Sequence, residues 1–207
     1  MSDEVAVHLV DDEAPVRDAL AFLFHAHGLG ARTYASGPEF LAAIDEAAPA
    51  LRGCIVLDVR MEPLSGLQVH EALIARGIAL PVIFLSGHGD IPMAVDALHK
   101  GAFDFVEKPF GDDALVERVQ RALQREAELH EQRADSVRMA AHLASLTERE
   151  HEVMRLVAAG KLNKLIADEL GIAVRTVEVH RARVFAKLGV RSAAEVATLL
   201  ALHPPRA

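Results

Sequence analysis

A chain of 207 residues with 51% apolar and 25% charged residues is long enough for one ordinary globular domain and a smaller second one. The single cysteine, Cys54, excludes an intramolecular disulfide. No apolar run reaches membrane length, and the acidic start Met1–Glu4 lacks the basic and apolar regions of a secretory signal. We therefore expect a cytoplasmic protein with no membrane contact.

The charge is distributed unevenly along the chain. Residues 1–125 carry 10 Lys and Arg against 19 Asp and Glu, a net charge of −9, and residues 126–145 have a net charge of −2. Residues 146–207 carry 10 basic and 7 acidic residues, a net charge of +3. An acidic first part and a mildly basic last part indicate two different partners, but a charge of +3 alone is weak evidence for nucleic acid.

The most informative stretch is Gly53–Asp58, in which five uncharged residues precede one carboxylate. A short apolar run bounded by turn signals is typical of a strand buried on both faces, as in a parallel sheet. The carboxyl end of such a strand is where open α/β sheets bind their ligands. Taken alone, Asp58 is better explained as the cap of the following helix. The residues at the ends of three other predicted strands favour a functional role for Asp58 instead.

Three further apolar runs also end in polar residues. Val5–Val10 precedes three acids, Val82–Leu85 precedes a hydroxyl and a glycine loop, and Phe103–Glu107 precedes a lysine and a proline. These polar residues are Asp11, Asp12, Glu13, Ser86, Lys108 and Pro109. Because converging carboxylates repel one another they need a cation, and hard oxygen ligands select Mg²⁺.

The first 110 residues alternate strand and helix. Helical periodicity follows the acid cluster and recurs from Ser36, from about Leu64 to Arg76, and from Met93 to Lys100, and Arg32–Tyr34 is a further short strand. This alternation predicts a doubly wound, five-stranded parallel sheet of flavodoxin-like order. There is no glycine-rich phosphate loop, so nucleotide binding is not indicated.

A long helix is predicted after residue 111, because Asp112–Leu143 contains no Gly or Pro. One face of this helix is formed by residues spaced alternately four and three apart, and only its first half is apolar. The residues of this seam are Leu115, Val119, Ala122, Glu126, Leu129 and Arg133. We expect the helix to continue as a linker over residues 126–143, with a break near residues 134–136. Two interpretations of this linker are open: it transmits the signal or forms a dimer coiled coil, or it is a solvated tether. The charged residues in the seam argue against strong dimerisation through its distal half.

The last part of the chain predicts a small all-α domain. Thr147 and Glu150 have the spacing of a capping box, and that helix ends at Gly160. Asn163 caps a short helix that ends at Gly171, and two longer helices follow, over about residues 175–188 and 192–202. Helix, glycine turn, helix is the DNA-binding helix-turn-helix arrangement.

Residues 4–125, with their four strand ends in this order, resemble the receiver domain of two-component response regulators. The resemblance implies that Asp58 accepts a phosphoryl group from a cognate histidine kinase. It also implies that Asp12 and Asp58 bind Mg²⁺ together with the carbonyl of Arg60, and that Asp11 completes the acidic pocket.

The same resemblance gives roles to two further polar residues. Lys108 would neutralise the phosphoryl oxygens, from a peptide bond to Pro109 that we expect to be cis, and Ser86 would donate its hydroxyl to phosphorylated Asp58. One departure is Glu62, which follows Met61 where the family commonly has proline, and which adds a carboxylate near the site.

Residues 144–203 resemble the LuxR/NarL/FixJ-type output domain, and the whole chain resembles the FixJ subfamily. The loop Ser86–Asp90 and the run Thr176–Arg181 carry this closer resemblance. The implied domains are a receiver (1–125), a linker helix (126–143) and a DNA-binding domain (144–207). The implied partners are double-stranded promoter DNA, RNA polymerase and a second copy of the chain on phosphorylation. Ala173 stands where the family usually has a capping Ser.

The recognition helix is expected to pack Val177, Val184 and Leu188 inward. The residues predicted to contact base edges or phosphates are Arg175, Thr176, Glu178, Val179, Arg181, Ala182, Arg183 and Lys187. The alternative for any single Arg or Lys among them is an ordinary solvated helix face.

A switch is also implied by the resemblance. When Asp58 is phosphorylated, Ser86 is drawn inward and Phe105 turns into the space, so that the face of residues 93–100, Phe105 and the start of the helix after Asp112 becomes a dimer surface. The alternative is a fixed core Phe105, with dimerisation through the linker helix. The predicted function is a phosphorylation-switched, sequence-specific transcription regulator, and the alternative is an adaptor whose tail binds a protein. An enzyme with Asp58 as nucleophile would need a substrate pocket and a general acid, for which the chain offers little room.

Overall fold

The computed structural model describes residues 5–47, 51–87 and 91–202. The chain forms two compact units, an N-terminal unit (residues 1–130) and a C-terminal unit (residues 131–207). The start Met1–Glu4 and residues 88–90 of the predicted glycine loop lie outside the described residues. Among the helices of the described residues, none combines the length and apolarity needed to cross a bilayer.

The N-terminal unit is built on one parallel sheet. Its strands are β1 (Ala6–Val10), β2 (Ala31–Tyr34), β3 (Gly53–Asp58), β4 (Val82–Ser86) and β5 (Asp104–Glu107), in the order β2-β1-β3-β4-β5. The first four helices are α1 (Ala14–Ala26), α2 (Gly37–Ala47), α3 (Gly66–Ala75) and α4 (Ile91–His99). The predicted doubly wound fold is confirmed.

Hydrophobic cores lie on both faces of this sheet. One contains Leu9, Val56 and Leu85 and packs Phe24 of α1 against them, whereas the other contains Ile55, Leu57 and Phe84 with residues of α2 and α3. All of β3 is buried, because successive side chains of the central strand enter opposite cores. Burial on both faces explains the uninterrupted apolar run before Asp58.

The fifth helix, α5, extends from Asp112 to Ala144, so the predicted break near residues 134–136 is wrong. The absence of Gly and Pro from this segment leaves no residue that would interrupt the helix. Glu126 is its last buried residue in the N-terminal unit, and Met139 and Leu143 pack against the core of the C-terminal unit. The predicted domain boundaries at residues 125 and 143 both fall inside α5 and stay predictions.

The C-terminal unit consists of the end of α5 and four shorter helices, α6 (Glu148–Ala158), α7 (Asn163–Leu170), α8 (Val174–Leu188) and α9 (Ala193–Leu202). The capping box of Thr147 and Glu150 is present at the start of α6. The prediction for Asn163 is corrected, because this residue is the first of α7 and the N-cap position is occupied by Leu162 without a side-chain bond. Ala173 likewise leaves the start of α8 without a side-chain cap, as predicted.

A partly buried polar network extends from the middle of β1 to the residue before β3 and to α5. Nε2 of His8 donates to the carbonyl of Arg52 at 3.2 Å, so Nδ1 accepts from the Tyr34 hydroxyl, also at 3.2 Å. The Arg52 guanidinium then donates to both carboxylate oxygens of Glu126, at 2.6 and 3.2 Å. This network joins β1, β2, the residue preceding β3 and α5.

Acidification should destabilise the N-terminal unit through His8, because burial lowers the pKa of its imidazole. The folded unit favours the neutral ring, so the stability that this preference contributes is complete above about pH 6.5 and is lost as the pH falls through the folded pKa. We expect the slope of the unfolding free energy between about pH 6.5 and 5 to be smaller in His8→Gln, whose amide keeps one donor and one acceptor.

The measurement is urea unfolding followed by the fluorescence of Tyr34, the single tyrosine of the chain, which lies in this unit. Burial also lowers the pKa of His70, so part of the slope should remain in the variant. An unchanged slope in His8→Gln would contradict the assignment.

Candidate functional site

The four polar strand ends predicted from the sequence meet at one edge of the sheet. Asp58 ends β3, which lies between β1 and β4, and Asp11 and Ser86 stand at the ends of these two neighbours. Lys108 follows β5, and its amide donates to the carbonyl of Ser86 at 2.7 Å. Because all strands run in the same direction, their carboxyl ends share this edge.

The Lys108 ammonium joins the two buried carboxylates of the site. Its Nζ lies 2.6 Å from Oδ1 of Asp58 and 3.2 Å from Oδ2 of Asp11, and its peptide bond to Pro109 is cis, as predicted. Backbone amides hold the other two oxygens, since Arg60 donates to Asp58 at 2.7 Å and Glu13 donates to Asp11 at 2.9 Å. Both carboxylates are therefore fixed in orientation.

The charges of Asp11, Asp58 and Lys108 do not cancel. Asp11 is 1% exposed and Asp58 is 7% exposed, and a single ammonium faces them both. Burial raises the pKa of Asp11 even though Lys108 opposes this effect. Burial would lower the pKa of Lys108, but its hydrogen bond and charge interaction with Asp58, together with Asp11, raise it overall. The site thus has an excess of buried negative charge that a further cation would neutralise.

The donors available for such a cation are hard oxygens, which suit Mg²⁺. Asp12 is exposed beside the buried Asp11, and Arg60, whose carbonyl was predicted as a ligand, follows Asp58 by two residues. Within the described residues, however, no three His, Cys, Asp or Glu side chains are grouped closely enough to hold a metal ion. The set therefore fits Mg²⁺ by its chemistry, with a backbone carbonyl needed to complete it.

Sequence reasoning missed two contributors to the geometry. Arg17 of α1 donates to the carbonyl of Asp11 at 2.6 Å, and nothing in the local pattern indicates this contact. Gly66 donates its amide to Val59 at 3.0 Å, and a Cβ at this position would lie 2.2 Å from the carbonyl oxygen of Asp58. Position 66 therefore favours glycine, because any side chain there would clash with the backbone of Asp58.

The two predicted switch residues lie on adjacent strands. Ser86 is 1% exposed at the end of β4, and Phe105 on β5 is half-buried with its ring centroid 6.2 Å from that of Phe84. Phe84 pairs with Phe105 in the strand register, and Ser86 pairs with Glu107. Phe105 precedes Glu107, the register partner of Ser86, by two residues. It packs against the core that contains Phe84.

The recognition helix α8 buries the predicted inward face, Val177, Val184 and Leu188. Most of the residues predicted to contact DNA are exposed: Arg175, Thr176, Glu178, Val179, Ala182 and Arg183. Arg175 and Glu178 form an ion pair of 3.0 Å on this surface. The exposed face therefore combines apolar, acidic and basic groups that could read base edges.

Two of the predicted DNA contacts are instead engaged inside the domain. Arg181 donates to the side-chain oxygen of Asn163, and its guanidinium lies 5.4 Å from the centroid of the Phe185 ring. Lys187 donates to Glu150 at 2.6 Å and to the carbonyl of Ser145 at 2.8 Å. These contacts do not test the predicted roles of the two residues toward DNA, which stay predictions. Helical periodicity gives the position of a residue on the helix, but it does not give the contacts that a long cationic side chain makes.

Two protein-family models match most of the chain. Residues 7–120 match the response regulator receiver domain, and residues 144–200 match the bacterial regulatory proteins of the luxR family. The chain is 52% identical over 196 residues to the C4-dicarboxylate transport transcriptional regulatory protein DctR of Rhodobacter capsulatus, covering 93% of this chain and 98% of DctR. It is 42% identical to the transcriptional regulatory protein FixJ of Azorhizobium caulinodans, covering 98% and 94% of the two chains.

Solved structures give the same result. The response regulator StyR superposes with a TM-score of 0.87 at 39% identity, covering 96% of this chain and 98% of StyR. Full-length FixJ from B. japonicum superposes with a TM-score of 0.57 at 37% identity, covering 97% and 98%. The resemblance inferred from the strand ends and the helix-turn-helix is confirmed.

Replacing Gly66 by alanine should destabilise the N-terminal unit by about 1–3 kcal/mol, because a backbone oxygen has to move to admit the new methyl group. The matched control is Gly111→Ala, where a Cβ would meet nothing within 4 Å. Urea unfolding followed by Tyr34 fluorescence measures both. Equal stability of the two variants would show that the Asp58 carbonyl yields at no cost.

Proposed function

The chain belongs to the NarL/FixJ response regulators, which join a receiver domain to a LuxR-type DNA-binding domain, and we propose that Asp58 is its phosphoacceptor. It is a phosphorylation-controlled, DNA-binding transcription regulator and not an enzyme, and this family membership implies a histidine kinase and DNA as partners. The observation that supports Asp58 is the Lys108 ammonium 2.6 Å from its carboxylate.

In the proposed reaction, a carboxylate oxygen of Asp58 bonds to phosphorus while the bond between phosphorus and the imidazole nitrogen of the kinase breaks. The amide of Arg60 and the ammonium of Lys108 hold the nucleophile in place, and Lys108 neutralises charge on the transferred group. Receiver domains typically bind Mg²⁺ at this site. We assign its binding to Asp11, Asp12, Asp58 and the carbonyl of Arg60, where it would neutralise phosphoryl oxygens.

The proposed switch uses Ser86 and Phe105. A phosphoryl group on Asp58 brings acceptor oxygens to the end of β3, and the hydroxyl of Ser86 on the adjacent strand can donate to them. Movement of Ser86 opens space next to β5, where Phe105 is only half-buried. Because phenylalanine carries no polar atom, its inward turn leaves no buried donor unpaired.

The surface that this switch would alter includes α4. Ile91 is 76% exposed, Val95 is 45% exposed and Leu98 is 44% exposed, and their spacing places them on one face of the helix. Large apolar residues exposed together are typical of an interaction surface. We propose that this face forms an isologous dimer contact on phosphorylation.

For DNA, we assign recognition to the exposed residues of α8. Glu178 is suited to accept from a cytosine amino group, Val179 to contact a thymine methyl group, and Arg183 to bind a phosphate or base edge. We further propose that RNA polymerase is the partner through which the bound regulator acts, and that the receiver, linker and DNA-binding domains occupy residues 1–125, 126–143 and 144–207.

The central test of this proposal is phosphorylation of the full chain with acetyl phosphate. We expect wild type to gain one phosphoryl group in the presence of Mg²⁺ and none in the presence of EDTA, and Asp58→Asn to gain none under either condition. Intact-protein mass spectrometry gives the gain, and gel shift with a duplex selected from a random library gives the DNA affinity. Labelling of Asp58→Asn, or labelling without metal, would refute the assignment.

The dimer surface can be tested in the full chain by introducing a charge. Val95→Glu places two carboxylates in an isologous α4 contact, so we expect the phosphorylated variant to dimerise about 100-fold more weakly, which corresponds to ~2.8 kcal/mol. The matched control is Val137→Glu on the distal part of α5, where Val137 is 69% exposed. Sedimentation velocity measures both variants, and loss of dimer only in Val137→Glu would assign dimerisation to the linker helix.

A further inference from the structure

Lys187 lies in the last turn of the recognition helix and is tied to the region where α5 ends and α6 begins. Its Nζ is 2.6 Å from Oε2 of Glu150, in the first turn of α6, and 2.8 Å from the carbonyl oxygen of Ser145, directly after α5. The Glu150 side chain is 3% exposed and that of Lys187 is 34% exposed, so the pair lies near the surface of the domain with its carboxylate covered. One ammonium thus connects α8 to the first turn of α6 and to the residue that follows α5.

The same carboxylate is part of the N-terminal cap of α6. The amide of Thr147 donates to Oε2 of Glu150 at 2.9 Å, and the amide of Glu150 donates to the Thr147 hydroxyl at 3.3 Å. The hydrogen bond from Lys187, together with that from Thr147, lowers the pKa of Glu150. Glu150 is therefore ionised in the folded domain and depends on Lys187 as its counter-charge.

We propose that Lys187 is a positioning residue for DNA recognition, and that its ion pair with Glu150 fixes α8 against the junction of α5 and α6. The inference rests on the proposed role of α8 in reading DNA. A phosphate contact by Lys187 would require the ammonium to leave a buried carboxylate, and an unpaired buried charge is strongly unfavourable. Lys187 therefore acts on DNA through the placement of α8.

This pair also gives the end of α5 a direct connection to the recognition helix. The Ser145 carbonyl directly follows α5, two residues before the N-cap residue Thr147, and it shares the Lys187 ammonium with Glu150. If Ser145 moved relative to α6, the Lys187 contacts that hold α8 would change as well. The placement of the helix that reads DNA depends on the segment through which the receiver is attached.

Glu150→Gln separates this proposal from a phosphate contact. Glutamine keeps an oxygen for the Thr147 amide but removes the charge that holds Lys187. If Lys187 positions α8, Glu150→Gln and Lys187→Met should weaken specific DNA binding alike, by about tenfold. If Lys187 binds phosphate, Glu150→Gln should free the ammonium and leave DNA binding equal or stronger.

The salt dependence of binding supplies the second readout. Each lost phosphate contact reduces the slope of log K against log salt by about 0.9 for B-DNA. We expect unchanged slopes in Lys187→Met and Glu150→Gln, and affinity for an unrelated duplex within about twofold of wild type. The matched control is Arg183→Met, since Arg183 is exposed on α8 and has no ion pair within the described residues. This variant should lose about 0.9 of slope.

The measurements use the full chain treated with acetyl phosphate and Mg²⁺, and a duplex selected by the wild type from a random library. Lys187→Arg keeps the charge and should restore specific binding. Lys187→Met with Glu150→Gln removes both charges, so it avoids an unpaired buried carboxylate and remains testable where the single variant unfolds. It should still show weaker specific binding with an unchanged slope.

A reduced slope in Lys187→Met, or specific affinity in Glu150→Gln equal to or above that of wild type, would overturn the positioning role. A different failure points to the proposed function itself. If Arg183→Met and Glu178→Ala both bind DNA like the wild type, the exposed face of α8 does not read DNA, whatever Lys187 does.

Discussion

The N-terminal unit depends on one ammonium held between two carboxylates that are almost fully removed from water. Asp11 and Asp58 come together because β1 and β3 are neighbouring parallel strands, and Lys108 reaches them from the end of β5. Two buried negative charges with one positive charge are an incomplete ion pair. Burial raises the pKa of Asp11, and the nearby charge of Asp58 adds to this effect. A phosphoryl group increases the deficit of positive charge. If Asp58 is the phosphoacceptor, as proposed, the response to phosphorylation begins with this charge imbalance at the end of the sheet.

In each compact unit, a cationic side chain binds to α5 or to the residue that directly follows it. In the N-terminal unit, Glu126 receives the Arg52 guanidinium, with side chains only 7% and 15% exposed. In the C-terminal unit, the Ser145 carbonyl receives Lys187. Residues 131–138 between these contacts are all exposed. Glu126, one of the two charged residues of the α5 seam, thus adds an ion pair to the apolar contacts between this helix and the sheet.

The strand ends and the helix-turn-helix could be predicted from the sequence because both are local patterns whose assembly follows from topology. Parallel strands must bring Asp58 and Lys108 to one edge, and the spacing of Val177, Val184 and Leu188 determines which face of α8 is buried. The contacts of Lys187 could not be predicted. Its partner lies 37 residues earlier in the chain, and a long flexible side chain can reach several neighbours. The place of Lys108 followed from the end of a strand, whereas that of Lys187 on a helix surface needed the structure.

The internal ion pairs also change the meaning of the mild charge of the C-terminal part. Arg149, Lys161, Arg175 and Lys187 each pair with a carboxylate of the same domain. Within the described residues, the cations without such a pair are Arg155, Lys164, Arg181, Arg183 and Arg191. Because nearly half of the described cations of this domain already have a carboxylate partner, the electrostatic gain from phosphate contacts in one copy is modest, and two copies on one DNA would double the number of contacts. If the proposed dimer forms on phosphorylation, the modest electrostatic attraction of one copy would make DNA binding depend on assembly, and phosphorylation would then control DNA binding through the number of copies bound.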